Sequence, residues 1–292
     1  MERFIEVTSK RLALLGYLGF LGFVFSPFLF LLFGFWLFGF AGAFRGHELR
    51  ILAQSLCQIW GMLYTPVIHG FRLPSKENYA CKESYILPFT GKWTVVNGGV
   101  DQELSHSWGS YPQRYAYDFI ILDDEGNYSE GDKSSLQSYF CYGKDIVAPA
   151  DGEVVKVRNH HKDSRTDGEN VYCDAADIAG NHVIIKHNKN EYSAIGHIMP
   201  NSITVNIGDF VKQGQIIAKC GNSGNTSQPH IHFQLQNGKN FFTSAGLPIM
   251  FDGINAWQKM NYGLLDKRAC QGNLRYLDGG KVYILLFLFV RY

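Results

Sequence analysis

His230 and His232 lie two residues apart in the run Gln228-Pro229-His230-Ile231-His232-Phe233. On a β-strand, residues two apart project from the same face, so the two imidazoles would share one cleft. One ring could bind a metal through a nitrogen while the other accepts a proton from an activated water, as hydrolysis at a zinc centre requires. Two surface histidines on an edge strand would give the same spacing, so other residues must decide between these interpretations.

A carboxylate and a third imidazole are available upstream. Asp118 lies in the strand-like run Tyr117–Ile121, where an acidic side chain among apolar neighbours needs a partner to offset its desolvation. A metal would supply that partner, and so would a salt bridge to Arg114. With His106 and His232, Asp118 would complete a site of three protein ligands that leaves a fourth position for water.

His197 is the remaining candidate for chemistry. It follows Ala194-Ile195-Gly196 at the end of a predicted strand. If it faced the same cleft, its imidazole could orient the water or stabilise the oxyanion that forms when the water attacks a carbonyl.

The elements that must position these residues are mostly short strands. From Tyr85 onward, apolar or alternating runs are separated by Gly, Asn, Asp and Pro, which is typical of antiparallel strands and turns. The predicted strands are Trp93–Val96, Tyr117–Ile121, Glu153–Val157, His182–Lys186, Gln215–Ala218 and His232–Leu235. The polar stretches Asp123–Gln137 and His160–Asp167 are predicted to be surface loops that could wall a groove.

The first 45 residues have a different composition. Leu12–Phe44 contains no charged side chain. This segment is longer than the roughly 20 residues needed to cross a bilayer, so we expect a transmembrane helix. Pro27 in its middle could mark a hairpin or a kink, and one long tilted crossing is favoured over two short ones. A signal peptide is disfavoured because its apolar core would be about 7–15 residues long.

Flanking sequence suggests an orientation for this segment. The cationic residues on its two sides are Arg3, Lys10 and Arg11 before it, and Arg45 and Arg50 after it. This bias weakly places the N-terminus in the cytoplasm and the remainder outside. Helical spacing then predicts a juxtamembrane amphipathic helix within Gly46–Leu73 that ends at Pro66. Tyr283–Val290 is too short for a second crossing and is expected to form a final strand or a peripheral membrane contact.

Charge and cysteine content exclude some functional classes. A net charge of +1 argues against a nucleic-acid surface, which would need a clustered basic face. No two of the six cysteines form a Cys-x-x-Cys pair suited to structural zinc or redox chemistry. Some could form disulfides outside the cell, whereas Cys57 is expected to remain unpaired.

Several motifs together resemble the core of the lysostaphin-type zinc endopeptidases, metallopeptidase family twenty-three. The resemblance covers about residues 93–240 and rests on Val147–Val154, Gly196–Ile198, Gly208–Ala218, Gly221–Asn225 and Pro229–Phe233, in that order. It implies a mostly β fold with an antiparallel sheet groove, a single Zn²⁺ per chain, and substrates that are peptide bonds of bacterial peptidoglycan.

Carried onto this sequence, the resemblance implies that Asp118 and His232 are zinc ligands and that His197 and His230 are catalytic. The commoner pattern has a histidine four residues before the aspartate, where this chain has Arg114. The resemblance therefore points to a subgroup in which an upstream histidine takes over, and His106 is the natural candidate.

These expectations combine into a membrane-anchored zinc metalloendopeptidase of the cell wall. The expected layout is a cytoplasmic tip and transmembrane helix (1–45), a juxtamembrane helix and linker (46–84), the peptidase domain (85–245) and an extension that packs on it (246–292). The domain would lie outside a bacterial plasma membrane that the chain crosses once. The oligomeric state is left open.

Two alternatives belong to other classes. One is a non-catalytic domain that binds wall peptides or activates a partner hydrolase, motivated by Arg114. The other is a carrier or phosphotransfer module, which would need a lysine on a tight exposed turn. Lys259-Met260 lies outside the strand pattern and does not fit that role.

Overall fold

The computed structural model describes residues 11–23, 25–36, 47–166, 171–172, 174, 177–258 and 288–291. The chain divides into two compact units, Met1–Leu56 and Cys57–Tyr292. The second unit contains the strands and all the candidate site residues.

Fourteen strands are present in the described residues. They are β1 Lys92–Asn97, β2 Tyr117–Ile120, β3 Asp145–Val147, β4 Gly152–Arg158, β5 Arg165–Thr166, β6 Val171–Tyr172, β7 His182–Asn188, β8 Glu191–Gly196, β9 Phe210–Val211, β10 Ile216–Lys219, β11 Ile231–Gln236, β12 Gly246–Leu247, β13 Asn255–Gln258 and β14 Leu288–Arg291. The helices are η1 Leu15–Phe23, η2 Pro27–Phe35, α1 His47–Ile68, η3 Tyr111–Gln113 and η4 Leu136–Ser138, where η denotes a 3₁₀ helix.

Ten strands form one antiparallel sheet. Its order is β13-β14-β1-β2-β11-β8-β7-β4-β9, and β12 also pairs with β11. Two small ribbons, β10-β3 and β5-β6, complete the strand pairing seen in the described residues. The predicted fold class, mostly β with an antiparallel sheet, is confirmed, and all six predicted strands are present to within two residues.

The core lies on one face of this sheet. Phe119, Ile231 and Phe233 alternate toward it and are fully buried, and the rings of Phe89 and Phe119 meet edge to face with centroids 4.8 Å apart. Burying one such aromatic contributes roughly 1.5–3 kcal/mol. Because the apolar residues occupy every second position, the intervening polar residues of the same strands must project from the opposite face.

The apolar N-terminal stretch differs from the single helix that we expected. Leu15–Phe23 and Pro27–Phe35 form two 3₁₀ helices, η1 and η2, and the rings of Phe20 and Phe33 meet with centroids 5.1 Å apart. Ser26, between the helices, is extended at φ −164° and ψ 133°, and Pro27 begins η2. A proline disfavours helical geometry in the residue before it, which explains the break.

Helix α1 is longer at its C-terminal end than predicted. It runs to Ile68 with Pro66 inside it, so the expectation that Pro66 ends the helix was wrong. Proline in a last turn removes only its own N–H bond, which leaves room for two more helical residues. Among the described residues, Leu49–Ile68 is the one helix that is long and apolar enough to cross a membrane, judged by length and composition.

The last strand of the sheet and the cysteine thiols were also subjects of prediction. Residues 288–291 form β14, which pairs with β1, so a final strand is confirmed for that part of the predicted run. Cys57 carries a free, exposed thiol, and the thiols of Cys141 and Cys220 are free and buried. Cys173 and Cys270 lie outside the described residues.

Candidate active site

Asp118 and His232 meet because β2 and β11 are neighbours in the sheet. The two residues are direct partners in the antiparallel register. Both project from the face opposite the core, and directly opposed side chains lie about 5 Å apart at Cβ. The result is a distance of 2.9 Å between His232 Nδ1 and Asp118 Oδ1, in a pair that is more than nine-tenths buried.

A bulge in β1 brings Asn97 to the same carboxylate. Val95 opposes Phe119 while Asn97 opposes Asp118, so one extra residue is accommodated between them. This shift re-aims the side chain of Asn97, whose Nδ2 donates to Asp118 Oδ2 at 3.1 Å. Asn97 was missed at the sequence level because nothing in the local pattern predicts a bulge.

His106 reaches the carboxylate from the loop after β1. The loop begins at Gly98, whose φ is +121°, and a Cβ there would lie 2.5 Å from the ring of Tyr117. Only glycine accepts both the backbone geometry and the close approach. The loop then places His106 Nε2 3.8 Å from Asp118 Oδ2, with 39% of the His106 side chain exposed.

His197 is positioned by a turn at the end of β8. Its φ is +57°, a left-handed conformation that is uncommon for a residue other than glycine. Its N–H donates to the carbonyl of Ala179 at 3.0 Å, and its Nδ1 lies 2.8 Å from the carbonyl oxygen of Ser223. A carbonyl only accepts, so Nδ1 carries the proton and a neutral ring presents Nε2 as an acceptor.

His230 is held in a similar way. Its Nδ1 donates to the carbonyl of Gln228 at 2.8 Å, and its Nε2 lies 3.5 Å from Asp118 Oδ1. The rings of His197 and His230 approach with centroids 4.5 Å apart, and those of His197 and His232 with centroids 5.7 Å apart. Three imidazoles therefore surround the Asp118 side of one cleft.

The charges of these groups are coupled. Burial raises the pKa of Asp118, but the His230 imidazole outweighs burial and holds that pKa well below its usual value. Burial lowers the pKa of His197 well below its ordinary value, and His230 and His232 lower it further. Burial also lowers the pKa of His230, but the Asp118 carboxylate outweighs burial and raises it overall. Asp118 is consequently ionised at neutral pH and His197 is neutral.

All five predicted site residues line one cavity of about 350 Å³: His106, Asp118, His197, His230 and His232. The described residues of the loops Asp123–Gln137 and His160–Asp167 are absent from its lining, so they do not wall this cavity. The walls come instead from residues near Ser107, from the segment 225–228 and from Phe241. These walls belong to three different connections, the β1–β2 loop, the segment before β11 and the segment after β11.

Arg114 does not occupy the cleft. Its guanidinium lies over the rings of Trp108 and Tyr111, 4.9 Å and 4.8 Å from their centroids, and its Nε donates to the carbonyl of Trp108. The alternative sequence interpretation, an ion pair between Arg114 and Asp118, is therefore not the arrangement that forms. The carboxylate is instead paired with imidazoles.

The donor atoms suit a zinc ion. A carboxylate oxygen and imidazole nitrogens are the ligands that zinc prefers, and around a tetrahedral ion with bonds of 2.0–2.2 Å they lie roughly 3.3–3.6 Å apart. His232 Nδ1 lies 2.9 Å from Asp118 Oδ1, and His106 Nε2 lies 3.8 Å from Asp118 Oδ2, so the two rings approach different oxygens of one carboxylate. Among the described residues, His197, His230 and His232 also place ligand atoms within 4.8 Å of one another.

Residues 136–243 match the sequence model of peptidase family M23. The chain contains an M23 peptidase domain. The matched stretch includes His197, His230 and His232, whereas His106 and Asp118 precede it. M23 is a family of zinc-dependent metallopeptidases, so the predicted resemblance to this family is confirmed over the matched residues.

Similar M23 proteins include both hydrolases and activators. The peptidoglycan DD-endopeptidase ShyB of Vibrio cholerae is 31% identical over 93 residues, 32% of this chain and 18% of its own length. The murein hydrolase activator NlpD of Salmonella typhimurium is 32% identical over 123 residues, 42% of this chain and 28% of its own. This chain thus spans between 18% and 28% of the length of these relatives.

Solved structures were also compared. Lysostaphin from Staphylococcus simulans is 20% identical with a TM-score of 0.32, covering 55% of this chain and 50% of that one. A zinc-containing peptidase from Vibrio cholerae is 20% identical with a TM-score of 0.35, covering 56% of this chain and 39% of that one.

Proposed function

We propose that this M23 protein is a membrane-anchored, zinc-dependent endopeptidase that hydrolyses peptide bonds of bacterial peptidoglycan. The observation that carries the proposal is the opposed pair Asp118 and His232, with His197 and His230 in the same cleft. His106, Asp118 and His232 would hold one zinc ion, which when bound supplies Lewis-acid activation of water and of the scissile carbonyl.

The two remaining imidazoles divide the proton chemistry. His230 accepts a proton from the attacking water at Nε2, because its Nδ1 is committed to the carbonyl of Gln228. It then returns that proton to the leaving amine. His197, whose Nδ1 is committed to Ser223, presents Nε2 as an acceptor and orients the water. An Nε2 that accepts a hydrogen bond cannot donate one to an oxyanion, so the proposal assigns His197 the first of its two possible roles.

The cleft also keeps these imidazoles largely away from bulk solvent. His197 and His232 are buried and His230 is largely so, which strengthens each electrostatic interaction among them. The left-handed turn at His197 fixes one ring and the strand register fixes another, so the geometry costs little reorganisation during reaction.

The membrane part of the proposal rests on composition. Leu12–Phe44 is uncharged and is longer than the roughly 20 residues that one crossing of a bilayer needs. The domain would then face the wall polymer from outside a bacterial plasma membrane. The layout 1–45, 46–84, 85–245 and 246–292 belongs to this proposal.

Two variants test the division of roles. His230→Ala should abolish hydrolysis of purified peptidoglycan while zinc remains near one per chain, because His230 is not a ligand in this scheme. His232→Ala should lose both hydrolysis and metal. Metal content is measured on purified full-length protein by elemental analysis, and released peptides by mass spectrometry. Hydrolysis by His230→Ala at the wild-type rate would refute the assignment.

A second candidate function is a non-catalytic domain that binds wall peptides or activates a partner hydrolase. Arg114 favours it, because this residue stands where the commoner pattern has a ligand and its guanidinium is stacked on aromatic rings. Failure of the full-length protein to bind zinc on reconstitution would support this candidate over the enzyme.

A further inference from the structure

The polar face of β11 continues beyond the proposed zinc ligand. His232, Gln234 and Gln236 alternate with the core residues Phe233 and Leu235, so their side chains share one face. Gln234 and Gln236 have no exposed surface. A buried amide is costly unless its donors and acceptors are paired, so the partners of these two side chains are informative.

The three side chains are linked by hydrogen bonds into one row. His232 Nε2 lies 3.1 Å from Gln234 Oε1, and Gln234 Nε2 donates to Gln236 Oε1 at 2.6 Å. Gln236 Nε2 in turn donates to the backbone carbonyl of Gly238 at 2.7 Å.

The backbone carbonyl of Gly238, at the end of this row, fixes the donor and the acceptor of each hydrogen bond. Because the oxygen of Gly238 can only accept, Gln236 must turn its amide nitrogen toward it and its oxygen toward Gln234. Gln234 must then present its nitrogen to Gln236 and its oxygen to His232. An amide oxygen accepts, so His232 Nε2 carries a proton and Nδ1 of the neutral ring keeps its electron pair.

The row of glutamines and Asp118 favour different positions for the proton of His232. The carboxylate lies 2.9 Å from Nδ1 and would by itself favour a proton on that nitrogen, which would block it as a ligand. With the proton held on Nε2, the electron pair of Nδ1 faces the carboxylate oxygen, an arrangement that a shared cation satisfies.

We propose that Gln234 and Gln236 are positioning residues that set the tautomer of His232 so that Nδ1 is free to bind zinc. The inference rests on the proposed function for its metal. The tautomer of His232 follows from the hydrogen bonds alone and does not depend on the proposed function. Partners of this kind contribute about 10–100-fold to metal affinity in other proteins.

The test measures zinc affinity by competition with a chromophoric chelator, on full-length protein. Gln234→Met removes the acceptor while nearly conserving volume and should weaken zinc binding by about 10–100-fold. Gln236→Met should cause a smaller loss of zinc affinity, because the side-chain amide of Gln234 can then adopt either orientation. Gln234→Glu keeps an acceptor opposite His232 and should bind zinc close to wild type. Gln137→Met, in an exposed position, is the matched control and should leave affinity unchanged.

A second readout separates this inference from the proposed function. Long-range nitrogen–proton correlation spectra of histidine-labelled, zinc-free protein report the tautomer, at about pH 8 and above the usual imidazole pKa of about 6.5. The fraction of His232 protonated at Nε2 alone should fall in Gln234→Met, with the signal identified by its absence in His232→Ala. Unchanged zinc affinity and an unchanged tautomer in Gln234→Met would overturn the inference. A wild-type protein that binds no zinc would refute the proposed function and leave the tautomer measurement decisive.

If Gln234→Met fails to fold, as judged by circular dichroism, the comparison of Gln236→Met with Gln234→Glu replaces it. Gln236→Met must then bind zinc more weakly than Gln234→Glu. Equal affinities would contradict this order of donors and acceptors.

Discussion

Glu191 connects residues 79–85 to the β7-β8 hairpin, which ends directly before His197. It is the first residue of β8, is fully buried, and its carboxylate accepts five hydrogen bonds. The donors are the hydroxyls of Tyr79 and Tyr85 (the latter at 2.9 Å), the backbone N–H groups of Lys82 (2.7 Å) and Glu83 (3.3 Å), and Nδ2 of Asn188 (2.7 Å). Residues 79–85 are thereby fixed against the β7-β8 hairpin.

Glu191→Gln removes one acceptor oxygen without changing the shape of the side chain. If the new amide nitrogen replaces Oε1, it faces the N–H of Lys82, and if it replaces Oε2, it faces the N–H of Glu83 and the amide of Asn188. A hydroxyl can reverse its bond but an N–H cannot, so either orientation leaves a buried donor unpaired. One such donor costs about 1–3 kcal/mol, and loss of charge-assisted bonding adds to it, so we expect a loss of about 3 kcal/mol in the free energy of unfolding.

The effect should depend on pH with a definite sign. Burial raises the pKa of Glu191, but its hydrogen bonds outweigh burial and lower that pKa below the ordinary 4.5. A carboxyl whose pKa is lower in the folded state stabilises the fold fully above its unfolded pKa, and this contribution is lost as pH falls through the folded value. The stability difference between wild type and Glu191→Gln should therefore be largest near neutral pH and shrink below about pH 4.5.

Thermal unfolding followed by circular dichroism measures the change. For a domain of this size, about 3 kcal/mol corresponds to a midpoint lower by about 6–12 °C. Glu153→Gln, an exposed position on β4, is the matched control and should change stability by less than about 0.5 kcal/mol. A midpoint for Glu191→Gln within the range of this control, or a difference that grows toward low pH, would refute the reasoning.

Two further predictions concern residues beside the cleft. Arg114→Ala should leave zinc content unchanged in elemental analysis, because the guanidinium stacks over Trp108 outside the cleft, and a loss of metal would show that this position does contribute to the site. Gly61→Ala should lower the thermal midpoint, because a Cβ there would lie 1.8 Å from the carbonyl oxygen of Phe242, and overpacking of this kind costs about 1–3 kcal/mol. Met62→Ala, exposed on the same helix, is its control, and equal midpoints for the two variants would contradict the contact.

The sequence by itself determined the strands and the type of chemistry. Short apolar or alternating runs identified β1, β2, β4, β7, β10 and β11, because strands that fill a core are separated by residues that favour turns. The period of two along a strand placed His230 and His232 on one face, and it extends to Gln234 and Gln236. Motif order then indicated the M23 family.

Tertiary structure alone decided which residues meet. Asp118 opposes His232 because β2 and β11 are adjacent although 114 residues separate the pair, and strand order is not encoded in local periodicity. The bulge that brings in Asn97 depends on the register between two strands and is equally invisible locally. Arg114 could have paired with Asp118 on sequence grounds, but the rings of Trp108 and Tyr111 hold it elsewhere. Local pattern thus fixes which face a side chain occupies, whereas long-range pairing fixes its neighbours, because only the folded sheet brings distant strands together.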